Sequence, residues 1–239
     1  MGSVAVGIMC KTPAPGLSKT RLSPPLRPDE CAAISACFIR DLSRTIGRLG
    51  ESGDATGYAV YTPVGSEEAL RRLLPHGFGL MPQVDGDFGV RLFEGVRMLL
   101  EAGHAGAILV NSDSPTLPLP ILRAAVDALG QGDNVVLSRA ADGGYTLIGL
   151  SKPHRRLFED IEWSTSTVHA RTLDRAHEIG LPVVDVPPWY DIDDAASLVM
   201  LEKELSGSKP GFSSMPGADA PATRRFLRDR RSFVASSAA

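Results

Sequence analysis

Three cations, Lys11, Lys19 and Arg21, stand in one short segment, Lys11-Thr-Pro-Ala-Pro-Gly-Leu-Ser-Lys-Thr-Arg-Leu22, stiffened by two prolines. The segment directly follows an apolar run, Val4 to Cys10, that reads as a buried first strand of an α/β sheet. Such sheets bind ligands beyond the carboxyl ends of their strands, and cations converging there suit a polyphosphate. The expected chemistry is nucleotide phosphate binding by Lys11, Lys19, Thr20 and Arg21, with Pro15 and Gly16 shaping the loop. A solvated basic loop is the bland alternative. Gly16-Leu-Ser-Lys19-Thr20 echoes the end of a P-loop, but Pro13 and Ser18 stand where that pattern needs glycine, which disfavours a P-loop kinase or ATPase.

Carboxylates follow at two strand ends. Ala107-Ile-Leu-Val-Asn-Ser-Asp113-Ser-Pro is an apolar strand closing on an isolated carboxylate and a proline-braced turn. Asp191-Ile-Asp193-Asp194 follows a second strand through Pro187-Pro-Trp-Tyr190. Magnesium takes one or two protein carboxylates plus phosphate oxygens and water, so Asp113 with Asp191 and Asp193 makes a sufficient set for Mg (or Mn) if the fold unites them. Each also has a structural reading: Asp113 as a turn or helix cap, Asp194 as the N-cap of the next helix.

Three further groups join the candidate site. Gln83, Gly86, Asp87 and Arg91 form a glycine-bearing loop running into a helix, and Arg91 is a cation where the helix dipole favours anions, so they are counted with the nucleotide. Asp142-Gly143-Gly144 reads as a hairpin-like bend whose glycines also admit a ligand close to the backbone. With Trp163 and Ser164 it is assigned to the acceptor, although Ser164 as a helix cap is the plainer reading. The five histidines are scattered and read as surface residues, and no nucleophile and base stand in a triad order.

Apolar strand-like segments (Val4 to Cys10, Gly57 to Thr62, Ala107 to Asn111, Asn134 to Ser138, Tyr145 to Leu150, Val183 to Val186) alternate with helical patterns. The expectation is α/β: a single domain over residues 1–205, three-layer α/β/α, with a mostly parallel sheet. Its first helix is expected to start with Asp29 as N-cap and to close at Gly50. With 239 residues, 43% of them hydrophobic, the chain suffices for one core. Residues 206–239 turn to Ser, Gly and Pro and then to Thr223-Arg-Arg-Phe-Leu-Arg-Asp-Arg-Arg231, and are expected to be a flexible, solvated tail. That tail holds six cations and two anions, leaving 19 basic and 26 acidic residues in the body, a balance that argues against nucleic-acid binding. Three cysteines without a C-x-x-C pattern read as reduced core residues, hence cytoplasm. No signal peptide and no membrane span are expected. Oligomeric state is left open.

The ordered motifs K-x-P-x-P-G-x-x-K-T-R-L, Q-x-x-G-D-x-G-x-R, S-D-S-P-T-L-P, D-G-G-Y-x-L-I-G-L, W-S-T and W-Y-D-I-D resemble those of the radical-SAM/selenodomain-associated transferases, type 1, some of which are assigned to arsenosugar biosynthesis. The resemblance spans residues 4 to about 201. It implies the GT-A-like nucleotide-diphospho-sugar transferase fold. The first motif and its following helix are also similar to 2-phospho-lactate guanylyltransferase. In related nucleotidylyltransferases the positions of Asp113 and Asp193 hold magnesium, the latter within D-T-P-E-D-L. Here Asp194-Ala-Ala-Ser197 replaces T-P-E-D, which keeps the ligand and is expected to lose the cap pattern.

Two transfers compete. In glycosyl transfer a sugar leaves a nucleotide diphosphate for a small acceptor; Lys19, Arg21 and Asp113 are the expected catalytic groups. In nucleotidylyl transfer the same cations neutralise a nucleoside triphosphate, GTP-like by the resemblance, while a small phosphorylated acid or sugar attacks the α-phosphorus and pyrophosphate leaves. A third reading is a non-catalytic nucleotide sensor acting through the basic tail. The expected partners are a nucleotide or nucleotide-sugar and a small-molecule acceptor.

Overall fold

The computed structural model describes residues 2–237 of the chain; Met1 and residues 238–239, at the ends of the expected ranges, lie outside it. Seven strands form one sheet: β1 (Val4–Lys11), β2 (Ala55–Thr62), β3 (Gly79–Pro82), β4 (Gly106–Asn111), β5 (Val135–Ala140), β6 (Tyr145–Leu150) and β7 (Val183–Trp189). Their spatial order is β3-β2-β1-β4-β6-β5-β7, and only β6 runs antiparallel to its neighbours β4 and β5. The hairpin needed to insert β6 is made by residues 141–144, where Gly143 takes φ +94. A Cβ at that glycine would lie 2.1 Å from the Ser166 carbonyl oxygen, so the turn requires both the left-handed backbone and the missing side chain.

The helices are α1 (Pro28–Gly50), α2 (Glu67–Arg71), α3 (Phe88–Glu101), α4 (Leu119–Leu129), α5 (Val168–Glu178), α6 (Ala195–Leu205) and α7 (Pro221–Ser237). Period-two alternation along β1 splits its side chains between two cores. Val4, Val6, Ile8 and Cys10 pack with α1, α4, α6 and α7, whereas Ala5 packs with Leu92, Val96 and Leu99 of α3 on the opposite face. The result is the three-layer α/β/α arrangement that alternating strands and helices imply.

Three local expectations give way. First, α1 opens at Pro28, whose fixed φ suits the first helical position, and the Glu30 carboxylate accepts the Arg27 N–H at 2.8 Å; Asp29 lies in the first turn and is not the cap. Secondly, the third strand, β3, was missed because it is four residues long and half-buried. Thirdly, residues 206–237 are not a loose tail. Phe212 packs edge-on against Trp189 and Tyr190, and the Ala218 N–H donates to the Thr116 carbonyl. α7 lies on α1, with Leu227 and Thr223 buried. The buried Asp41 carboxylate of α1 accepts the N–H groups of Ala222 (2.9 Å) and Thr223 (2.8 Å), satisfying donors that a helix N-terminus leaves open. Desolvation raises the Asp41 pKa against the lowering effect of those two N–H groups. Arg230 pairs with Glu30 and Arg231 with Glu202, so part of the basic run has partners in the acidic body.

Candidate active site

The cationic loop leaves β1 at Lys11 and is pinned at both ends of its turn. The Ser18 hydroxyl accepts the Ala14 N–H at 3.0 Å, and Leu22 is fully buried. Gly16 takes φ +72. Lys19, with a full side chain, is also held left-handed at φ 48, ψ 39. Such strain persists where the surroundings fix it, most often at ligand sites. What fixes Lys19 is its own ammonium. It lies 2.7 Å from Asp113 Oδ2 and 2.8 Å from Asp193 Oδ1, and donates to the Ile192 carbonyl at 2.6 Å. Burial works against the charged ammonium, but Asp113 and Asp193 outweigh it and hold the Lys19 pKa above its ordinary value.

The two aspartate segments are brought together by the backbone. The Ile192 N–H donates to the Asp113 carbonyl at 2.9 Å and the Ser114 hydroxyl to the Tyr190 carbonyl at 2.8 Å, joining the loop after β4 to the chain after β7. In Trp189-Tyr-Asp-Ile-Asp193 the buried residues Trp189, Tyr190 and Ile192 anchor the segment, and Asp191 and Asp193 project from it into the cleft. Asp194 caps α6, accepting the Ser197 N–H at 2.8 Å while Ser197 Oγ accepts the Asp194 N–H. The cap pattern expected to be lost is therefore present, with Ser197 in the role of the third helical residue.

Two adjoining chambers share this wall. The first, about 250 Å³, is lined by Lys11, Lys19, Thr20 and Arg21 together with Asp113 and Asp193. Pro15 and Gly16 form the exposed rim of the same loop. The second, about 380 Å³, is lined by Asp113, Asp142, Asp191 and Asp193, by Arg21, and by an apolar floor that includes Leu109, Tyr145, Phe88 and Trp163. Ser164 lines it in the left-handed region at φ 64 and does not cap α5, whose cap position is Thr167. Gly144 also lines this chamber, and Gly143 is buried in the turn beside it.

Among the described residues, the carboxylates close enough to share one ion are Asp142, Asp191 and Asp193, with candidate ligand oxygens within 4.8 Å of one another. Asp142, expected at the acceptor, thus joins the candidate metal group, and the expected ligand Asp113 is engaged by Lys19 instead. Burial, followed by the charges of Asp193, Asp142 and Asp113, pushes the Asp191 pKa up to about 7. Hard oxygen donors gathered at mutual electrostatic cost fit a Mg or Mn ion, which would relieve that repulsion.

Gln83, Gly86, Asp87 and Arg91 line neither chamber. The Gln83 amide donates to the Val60 carbonyl (2.9 Å) and the Cys10 carbonyl (3.3 Å), bracing the ends of β1 and β2, and Arg91 leans on Gln83 and on the Phe88 ring. Asp87 is the N-cap of α3, accepting the Val90 N–H at 2.9 Å. Gly86 adopts φ +140 against Val90. Their contacts are with the scaffold. Gly89, not singled out from the sequence, matters to the second chamber: a Cβ there would meet the Phe158 carbonyl at 2.5 Å and Trp163 Nε1 at 2.9 Å, so only glycine lets Trp163 close against α3.

Three histidines are half-buried and have structural partners: His104 bonds Ser3 and Tyr58, His154 pairs with Asp133, and His169 lies 3.5 Å from Asp185. All three cysteines are free. The Cys10 thiol, nearest the site, is pushed up to about 12 by burial and then by Asp113, which keeps it an un-ionised core residue. Cations also converge in a groove of about 650 Å³ between α1 and α7, lined by Arg40, Arg44, Arg72 and Arg225 together with Asp41 and Asp229.

A seven-stranded, mostly parallel sheet with helices on both faces and a cation-carboxylate cleft at its carboxyl edge is the nucleotide-diphospho-sugar transferase fold. The chain superposes with a TM-score of 0.82 on a candidate nucleotide-diphospho-sugar transferase from Desulfovibrio desulfuricans G20, at 25% identity over 99% of this chain and 98% of that one. The chain belongs to the family described as "Uncharacterized protein conserved in bacteria (DUF2064)", which matches residues 45–165. More distant folds include CMP:2-keto-3-deoxy-manno-octonic acid synthetase with CTP (TM-score 0.55, 11% identity, 85% of this chain and 98% of that one). Another is glucosyl-3-phosphoglycerate synthase from Mycobacterium tuberculosis with Mn2+ and UDP (0.50, 10%, 83% and 75%). No curated protein matches the chain in sequence. Among the described residues no helix is long and apolar enough to cross a membrane.

Proposed function

We propose that this chain is a nucleotide-dependent transferase that moves a sugar from a nucleotide-diphospho-sugar to a small acceptor. The observation that carries the reading is the Lys19 ammonium suspended between Asp113 and Asp193 in a chamber that Lys11 and Arg21 also line. Those three cations are the counter-charge for a diphosphate, and their charge is most useful as the leaving group becomes more negative. Asp191 and Asp193, with Asp142, would hold Mg or Mn, which when bound supplies Lewis-acid stabilisation of the diphosphate. An acceptor hydroxyl in the second chamber forms its bond to the anomeric carbon while the bond from that carbon to the diphosphate oxygen breaks. The electron pair leaves with the nucleoside diphosphate. Asp113, whose side chain lines both chambers, takes the hydroxyl proton. The solved relative from Desulfovibrio supports the class, and the six ordered motifs support a finer place among the radical-SAM/selenodomain-associated transferases. A reducing cytoplasm suits the free thiols.

Two observations favour nucleotidylyl transfer: the three cations would equally serve the greater charge of a triphosphate, and the same fold occurs in a synthetase solved in complex with CTP. There the acceptor oxygen bonds the α-phosphorus and pyrophosphate departs. Thermal-shift screening with Mg or Mn against nucleoside triphosphates and nucleotide-sugars, followed by an assay of the responder, separates the two. Release of nucleoside diphosphate supports sugar transfer; release of pyrophosphate replaces it with the second reading. A chain that no nucleotide stabilises refutes both.

A further inference from the structure

We propose that the second chamber takes a hydroxyl-bearing acceptor that carries no anionic group and presents an apolar ring face to Trp163 and Phe88. The inference rests on the transferase reading and names the class of acceptor within it.

The two chambers differ in sign. The first gathers Lys11, Lys19 and Arg21 against two carboxylates, whereas the second sets four carboxylates, Asp113, Asp142, Asp191 and Asp193, against Arg21 alone. Lys19, paired with Asp113 and Asp193 from the neighbouring chamber, and a divalent ion would together offset those carboxylates, so it is the donor diphosphate next door that leaves the loaded site with an excess of negative charge. An acceptor bearing a phosphate or carboxylate would be desolvated into a field of its own sign, a mismatch that costs affinity more than matched contacts gain it.

Backbone donors do not repair the mismatch. The N-terminus of α5 borders the chamber through Thr165 and Val168, but three of its amides have partners: Thr167 N–H with Thr165 Oγ1 (3.4 Å), Val168 N–H with the Thr165 carbonyl (3.4 Å) and His169 N–H with the Gly143 carbonyl (3.0 Å). Those bonds weaken the usual anion site of a helix N-terminus. What the chamber offers instead is acceptor oxygens for hydroxyl protons and an aromatic wall. Phe88 meets Trp163 edge-on at 5.1 Å between ring centroids, and Phe88 is 40% exposed, an unusual exposure for a large apolar ring inside a cleft. Rings with one apolar and one hydroxylated face, as in sugars and aryl glycosides, match that combination.

Trp163 makes the test direct, because the other tryptophan, Trp189, is fully buried. Quenching of Trp163 fluorescence in the full chain, with Mn2+ and UDP present, is to be titrated with glucose and phenyl β-glucoside, and in parallel with glucose 6-phosphate and 3-phosphoglycerate. The expected result is saturable quenching by the uncharged pair and at least about tenfold weaker binding of the phosphorylated pair. Trp163→Phe abolishes the signal while leaving UDP affinity by calorimetry unchanged. Tighter binding of either phosphorylated compound overturns the inference, as does failure of both uncharged compounds to quench at millimolar concentration. Loss of the underlying transferase reading shows differently, as absence of UDP and of nucleoside triphosphate binding in the calorimetry.

Discussion

Replacing Lys19 with methionine keeps the length of the side chain and removes the charge on which the nucleotide assignment turns. In the folded chain the ammonium is 8% exposed, but its partners Asp113 and Asp193 are 28% and 41% exposed, so water compensates much of the lost pairing. The cost to folding is expected to be about 1–2 kcal/mol, well below that of a fully buried pair. Binding is affected more specifically. A charged hydrogen bond to phosphate is worth roughly 1.5–3 kcal/mol, and Lys19 must give up part of its hold on the two carboxylates to make it. A loss of about 10- to 100-fold in affinity for the Mg-nucleotide follows. Free Mn2+, by contrast, is expected to bind the variant more tightly than the parent, because the carboxylates lose their internal counter-ion. Calorimetry with nucleotide and with Mn2+ alone, on protein whose melting is checked first, reads both. Nucleotide affinity within twofold of the parent in a folded Lys19→Met protein refutes the reasoning.

Other perturbations probe separate parts of the account. Asp41→Ala leaves the Ala222 and Thr223 N–H groups without their acceptor; it is expected to cost about 2–4 kcal/mol and to raise amide exchange along α7. Unchanged exchange there would contradict the clamp. Asp191 binds a proton in the folded chain up to about pH 7 that the unfolded chain releases near the usual carboxylate value, so its contribution to stability is full at low pH and falls as pH rises from about 4 to 7. That decline is on the order of 2 kcal/mol after allowance for solvent, and denaturant melts should show it vanish in Asp191→Asn and diminish with Mn2+. Gly143→Ala, which forces a Cβ against the Ser166 carbonyl and strains a positive φ, is expected to displace the wall carrying Ser164. Acceptor turnover should fall at least tenfold with nucleotide affinity unchanged; equal loss of both would place the damage elsewhere.

Much of the layered architecture was legible because β1, β4 and β6 are near-continuous apolar runs and the helices carry a one-sided period. β3 was not, since four residues, three half-buried and one exposed, have neither pattern. The ordering of the C-terminal segment was hidden for a different reason: Asp41, Glu30 and Glu202 supply what holds α7, and all are distant in sequence from it. At the site, residue type gave the cations and the Asp113 and Asp193 pair, but the meeting of Asp142 with Asp191 depends on β6 being inserted between β4 and β5, a topological fact no local motif carries. For Gln83 to Arg91 the residues alone do not separate a helix cap, a strand brace and a ligand loop, because all three draw on the same polar residues and glycines.

The central claim, that nucleotide phosphates bind where Lys11, Lys19 and Arg21 face Asp113 and Asp193, is tested most directly by a crystal structure of the chain with Mn2+ and the nucleotide that stabilises it best. The account predicts phosphate oxygens within hydrogen-bond distance of Lys19 and Arg21, with the ion on Asp191 and Asp193. Phosphates found instead in the arginine groove between α1 and α7, with the Lys19 pairs intact, would contradict it.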